Sequence, residues 1–257
     1  MTPFRTSPRI GRIIFLATIS GIVATSAVGS EIRGHSVRLS GEALDNDKQR
    51  ALLQQQYDGC ADINPRLGHP VQPLPAGGIP KVVHGYDIEI YYAPGQTMTV
   101  QRGVLHSIDP SNCALAQHEH HMLKLATADG KCEVDLLKRQ AHGACRAIAR
   151  KPSQASPRII SNPSMFPATG QRRDIAGHTC EVYRQPTLPD DEKCVLRPQN
   201  SFSIVPASLH LGISGVLLSL KSANMHLSAV EARLNTTIEQ KRFELPSDIT
   251  ARGGQGQ

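Results

Sequence analysis

The chain has 257 residues, 39% hydrophobic but only 4% aromatic and without Trp, so its core must be built from Val, Ile, Leu and Ala. Its formal charge of +6 is dispersed. Arg172-Arg173 and Lys241-Arg242 are only pairs, with no aromatic-studded basic stripe, which argues against a nucleic-acid partner.

Arg5, Arg9 and Arg12 supply three of those charges, leaving +3 beyond residue 30. They precede an apolar run, Ile13 to Val23, and small residues from Ala24 to Ser30. This is the pattern of a secretory signal peptide over 1–30, cut between Ser26 and Ser30. The run is short for a membrane span and no arginine pair precedes it, so Sec export is expected. The product would be periplasmic or secreted, with no stable span after cleavage. All six cysteines, Cys60, Cys113, Cys132, Cys145, Cys180 and Cys194, lie beyond this segment. An even count in an exported chain reads as three disulfides, and no CxxC spacing favours zinc.

Taken in order, 31–80 reads as an N-terminal helix and a Pro-rich connector. The helix spans ALDNDKQRALLQQQYDG, with Asp45 or Asn46 as cap and Gly59 as stop. Five prolines and three glycines between Asn64 and Pro80 forbid a helix or central strand. A β domain follows over 81–250, interrupted near 151–170. Tyr86, Ile88 and Ile90 alternate with Asp87 and Glu89, and Pro94-Gly95 turns the chain into a strand bearing Met98 and Val100. A hairpin is expected from Met122 or Leu123 to Leu136 about Asp129-Gly130, with a third strand in ACRAIARKP. Further strands fall at RDIAGHTCEVYR, at KCVLR, and on either side of Ala223-Asn224. In the last of these, Val230, Ala232 and Leu234 alternate with Glu231 and Arg233. The tail, 251–257, reads as disordered. The expected fold is mainly β: a curved antiparallel sheet or half-open barrel with one or two helices, braced by disulfides. No βα alternation supports a dinucleotide-binding sheet.

Two stretches carry a resemblance. Arg172 to Arg184, RRDIAGHTCEVYR, has the form I-A-G-His-x-Cys-x-x-Tyr, and VEARLNTTIEQKRFELP closes on Phe243, Leu245 and Pro246. These resemble exported β-sheet proteins similar to the lipoprotein carriers LolA and LolB. The resemblance implies a strongly curved sheet around helices and an apolar cavity. Val216, Leu218 and Leu220 are candidates to line that cavity or, if it is filled, to pack it. Gly177 would kink a strand entrance. Cys180 and Cys194 are equidistant from a turn near Thr187, and Cys132 and Cys145 from one at Lys138-Arg139, leaving Cys60 with Cys113.

The segment QHEHH, Gln117 to His121, is the main candidate for chemistry. It is not a His-Glu-x-x-His zinc motif, because Met122 holds the fifth position. As a strand it places His118 and His120 on one face, where two imidazoles can chelate a metal with a further ligand such as His106 or His142. The alternative is a polar strand entrance. Gly212-Ile213-Ser214-Gly215 lacks the nucleophile-elbow form, and Asp190-Asp191-Glu192 reads as a solvated loop. No catalytic residue and no cofactor is therefore assigned. The sequence points to an exported, non-enzymatic protein binding an apolar ligand or an envelope partner in its concave face. Metal binding through His118 and His120, and a hydrolase with an unrecognised site, are the alternatives.

Overall fold

The structure, a computed structural model, describes residues 31–127, 129–145, 148, 167–197 and 215–248. The expected signal peptide, Ser214, most of the Pro/Ser interruption and the tail lie outside the described residues.

The first strand is one the sequence reading did not contain. β1 (Glu31–Ala43) buries Val37 and Leu39 and exposes Arg38 and Ser40. A helix, α1 (Asn46–Ile63), follows and runs through Gly59 rather than stopping there. Asp45 sits at its N-cap without a side-chain capping bond. Asn46 instead ties the helix to the sheet: its Oδ1 accepts from the Val83 and His84 amides, each at 3.0 Å, and its Nδ2 donates to Glu42 at 2.7 Å. The proline-rich connector starts with a 3-10 turn, Asn64–Leu67, and is otherwise irregular. Leu53 of α1 packs on Ile79 and Val83 from this connector.

A meander follows: β2 (His84–Ala93), β3 (Gln96–Ile108), β4 (Leu115–Thr127), β5 (Gly130–Asp135) and β6 (Gln140–Gly143). The expected third strand is displaced, since β6 lies upstream of Cys145, which is helical. Five more strands complete the sheet: β7 (Ala168–Ile175), β8 (His178–Gln185), β9 (Leu188–Leu196), β10 (Val216–Lys221) and β11 (Met225–Glu239). Ala176 and Gly177, both at positive φ, form the two-residue turn between β7 and β8. Gly177 is thus a hairpin turn residue, not a kink within one strand. Asp190 to Glu192 lie inside β9 rather than in a loop.

The eleven strands make one antiparallel sheet in the order β6-β5-β4-β3-β2-β1-β11-β10-β9-β8-β7, not closed into a barrel. Two meanders are joined at the β1–β11 pair, so β1 sits at the centre of the domain rather than before it. Bulges opposite Gly34–Ser36 and Arg38–Leu39 distort that seam. They break the alternation expected for β11, leaving Val230 exposed while Ala232 and Leu234 pack on the core.

Register assigns two cores to opposite faces. On the inner face, Val37, Leu39, Ile88, Ile90 and Tyr92 pack against Val182, Val195, Leu217 and Leu227. On the outer face, Met98, Leu123, Leu125 and Val134 pack beneath Ile238 and Phe243. Each fully buried side chain of this size contributes roughly 1.5–3 kcal/mol. Three disulfides brace the whole: Cys60–Cys113 ties the end of α1 to the β3–β4 connection, Cys132–Cys145 closes the β5–β6 region, and Cys180–Cys194 links β8 to β9. Among the described residues no helix is long and apolar enough to cross a membrane.

Candidate functional site

Val216, Leu218 and Leu220 belong to the inner core, at 0%, 0% and 8% exposure. They pack within that cluster, and none of the described cavities is lined by them. Two of the described cavities open on charged residues of β1 to β4, one of them reaching β11.

On the inner face a cross-strand row runs Gly41–Tyr86–Gly103–His120. Gly103 has no side chain, so Tyr86 and His120, two strands apart, meet above it in an edge-on pair with centroids 6.1 Å apart. A Cβ on Gly103 would fall 1.7 Å from His120 Cε1. His84 extends the ladder, its ring 4.5 Å from Tyr86, and Gln101 Nε2 reaches His120 Nε2 at 3.4 Å. Burial pushes the pKa of His84 down and the neighbouring His120 adds to the effect, while Asp45 opposes it.

The outer face of the same strands is charged. Its central row is Ser40–Asp87–Arg102–His121. Arg38 grips Asp87 with two bonds, 3.1 and 2.6 Å, and Arg102 donates to Glu89 at 2.8 Å. Tyr91 also donates to Glu89, at 2.6 Å. Burial works to raise the Glu89 pKa, but the hydrogen bonds from Tyr91 and Arg102 and the charge of Arg102 outweigh it and hold it low. Glu89 is thus held ionised, not poised as an acid.

The next row along is Glu42–Gly85–Val104–Glu119, and Val82 leans over Gly85, its Cγ1 3.1 Å from where a Cβ would stand. There a groove of about 500 Å³ opens, with Val82, Val104 and Leu137 among its apolar lining and Asp87, Arg102 and His121 among its polar lining. Val82 and Leu137 are 44% and 55% exposed, so the groove's mouth carries apolar surface in contact with solvent. His121 Nε2 is buried without a hydrogen-bond partner among the described residues. Burial lowers the His121 pKa, Arg102 adds to this, and Glu89 acts against it. A second outer cavity, about 400 Å³, lies beside Tyr91, Arg233 and Arg242, the last stacked 5.6 Å over the Tyr91 ring. Arg38 lines this cavity and Asp87 the first, so their ion pair stands between the two.

QHEHH is therefore strand interior, not strand entrance, and its alternation splits it between faces. His118 and His120 do share the inner face, but with different partners: His118 Nε2 bonds Ser107 Oγ at 2.7 Å, while His120 joins Tyr86. His106, opposite Gln117, points to the other face, its Nδ1 3.1 Å from the Val83 carbonyl. His142 shares the face but pairs opposite Glu133, four positions along from His120, roughly 13 Å away along the strand. Among the described residues no group of three or more His, Cys, Asp or Glu is placed to hold a metal ion. His84, Gly103 and Arg102 do not stand out in the sequence, because only the register of β2, β3 and β4 brings them beside the QHEHH histidines. No protein-family model and no curated protein matches this chain.

Proposed function

We propose that this is an exported, non-catalytic binding protein that holds a small amphipathic ligand in the outer groove between β1 and β4. The observation carrying the reading is the groove itself. About 500 Å³ is within the usual range for small-molecule sites, and its mouth exposes Val82 and Leu137 beside fixed charges. Covering those aliphatic groups returns the free energy that their exposure forfeits. Three disulfides support maturation in an oxidising compartment, in line with the signal-peptide pattern. The open antiparallel sheet is compatible with the resemblance to the lipoprotein carriers, and the binding surface proposed here lies on the face opposite the inner core. The test is saturable binding of the neutral fluorophore N-phenyl-1-naphthylamine to the oxidised protein. One site is expected, abolished by Val104→Asp and by Leu137→Asp but not by Val230→Asp, which alters an exposed aliphatic residue elsewhere. Equal loss in all three, or no saturable binding, refutes the reading.

A further inference from the structure

Resting on the groove reading, the geometry points to a ligand whose head group is anionic, held by Arg102 and His121 as a carboxylate on a single aliphatic chain. Arg102 and His121 are direct cross-strand partners on the outer face, and both line the groove. Their Cβ atoms are therefore about 5 Å apart, a span that one carboxylate bridges. Arg102 spends one terminal nitrogen on Glu89 and keeps further N–H donors, because a guanidinium carries five in a planar fork. His121 is the complementary half. Its buried Nε2 has no partner among the described residues, and a rotation about Cβ–Cγ can present either ring nitrogen to the groove.

The carboxylates around the groove favour one orientation. Both oxygens of Asp87 are taken by Arg38, so that side chain neither competes for Arg102 nor adds a free negative charge. Glu119, two positions from His121 on the same strand, accepts from Gln117 at 3.0 Å and has no ion pair among the described residues. An anionic head is thus repelled from the Glu119 end and drawn to the Arg102–His121 end. The aliphatic chain then lies against Val82, Val104 and Leu137. A cationic head would reverse this, meeting Glu119 but placing Arg102 under the chain with its donors unsatisfied.

The experiment measures displacement of N-phenyl-1-naphthylamine by two probes of equal chain length, laurate and dodecanol, on the oxidised protein at pH 7.5. Laurate should bind more tightly by roughly tenfold or more, the scale of a charge-assisted hydrogen-bonded pair. His121→Asn and Arg102→Gln should each remove that preference, read as the ratio of laurate to dodecanol affinity, with urea midpoints confirming that both variants are folded. Dodecanol binding as tightly as laurate overturns the head-group assignment but leaves the groove reading standing, as does a laurate preference that survives both substitutions. If neither probe displaces the fluorophore, the groove reading falls too.

Discussion

Replacing Gly103 with Ala should destabilise the protein, although a strand interior ordinarily gains about 0.5–1 kcal/mol from that exchange. The added methyl would meet the His120 ring at 1.7, 2.2 and 2.6 Å from its Cε1, Nε2 and Nδ1 atoms. The ring must leave, giving up its edge-on contact with Tyr86 and its bond to Gln101. Overpacking of this kind costs about 1–3 kcal/mol, and a displaced ring pair about 0.5–1.5 more. Set against the usual gain, the net loss should be about 2 kcal/mol. That corresponds to a drop in Tm of roughly 4–8 °C for a domain of this size. The assay is urea unfolding of the oxidised single variant, of His120→Ala and of the double variant. Because His120→Ala empties the space the methyl needs, the double variant should be no less stable than His120→Ala alone, giving a coupling energy near 2 kcal/mol. A Gly103→Ala protein as stable as its parent, or costs that simply add, would refute the placement of His120 over Gly103.

Removing Cys60 and Cys113 together should cost about 4 kcal/mol, against about 3 for either of the other pairs, because chain entropy scales with loops of 53, 13 and 14 residues; urea unfolding of the three double-alanine variants gives the ranking. Asn46→Ala should cost about 3 kcal/mol, since it leaves the buried Val83 amide and its neighbour His84 without their acceptor, and Asn46→Ser should recover little of it. Stability should fall with pH in two stages. His35 and His84 have lowered folded pKa values through burial, so the unfolded chain takes up protons first and stability drops as pH falls below about 6.5. His35 also needs its Nδ1 unprotonated to accept from the Asn235 amide at 3.1 Å. Glu89 and Glu192 are held low by their arginines against the opposing effect of burial, so a second loss begins below about 4.3. A urea midpoint that is flat between pH 7 and pH 5 would contradict the first stage, and Glu192→Gln should reduce the second, leaving the part due to Glu89.

What was legible follows the physics of each segment. Tyr86, Ile88 and Ile90 alternate strongly and sit on one side of β2 as the pattern indicates, with Ile88 and Ile90 buried. The prolines between Asn64 and Pro80 leave only a 3-10 turn, Asn64–Leu67, and no α-helix or strand. β1 escaped notice because Gly34 and Gly41 dilute its pattern, yet Val37 and Leu39 flanked by Ser36, Arg38 and Ser40 was a usable signal. The glycines are required by close approach: a Cβ on Gly34 would lie 2.1 Å from the Tyr92 carbonyl oxygen, and one on Gly41 1.9 Å from that of His226. The polar run at Gln117 to His121 resembles a strand end in composition, and only its pairing with Arg102 to His106 makes it strand interior. Bulges defeat periodicity altogether, which is why Val230 was assigned to the same face as Ala232.

The groove depends on the same register as the core. Slipping β3 by one residue against β2 would send Met98 to the inner face and carry Arg102 with it, so such a slip loses core and site together. The converse also holds. Arg102, His121 and Val104 lie on outer-face positions that neither buried cluster uses. Substitutions there can therefore change binding while the two cores and three disulfides keep the sheet intact. Gly103 lies on the other side of that division: its absent side chain makes room for a ring on the inner face, so changing it should move stability first.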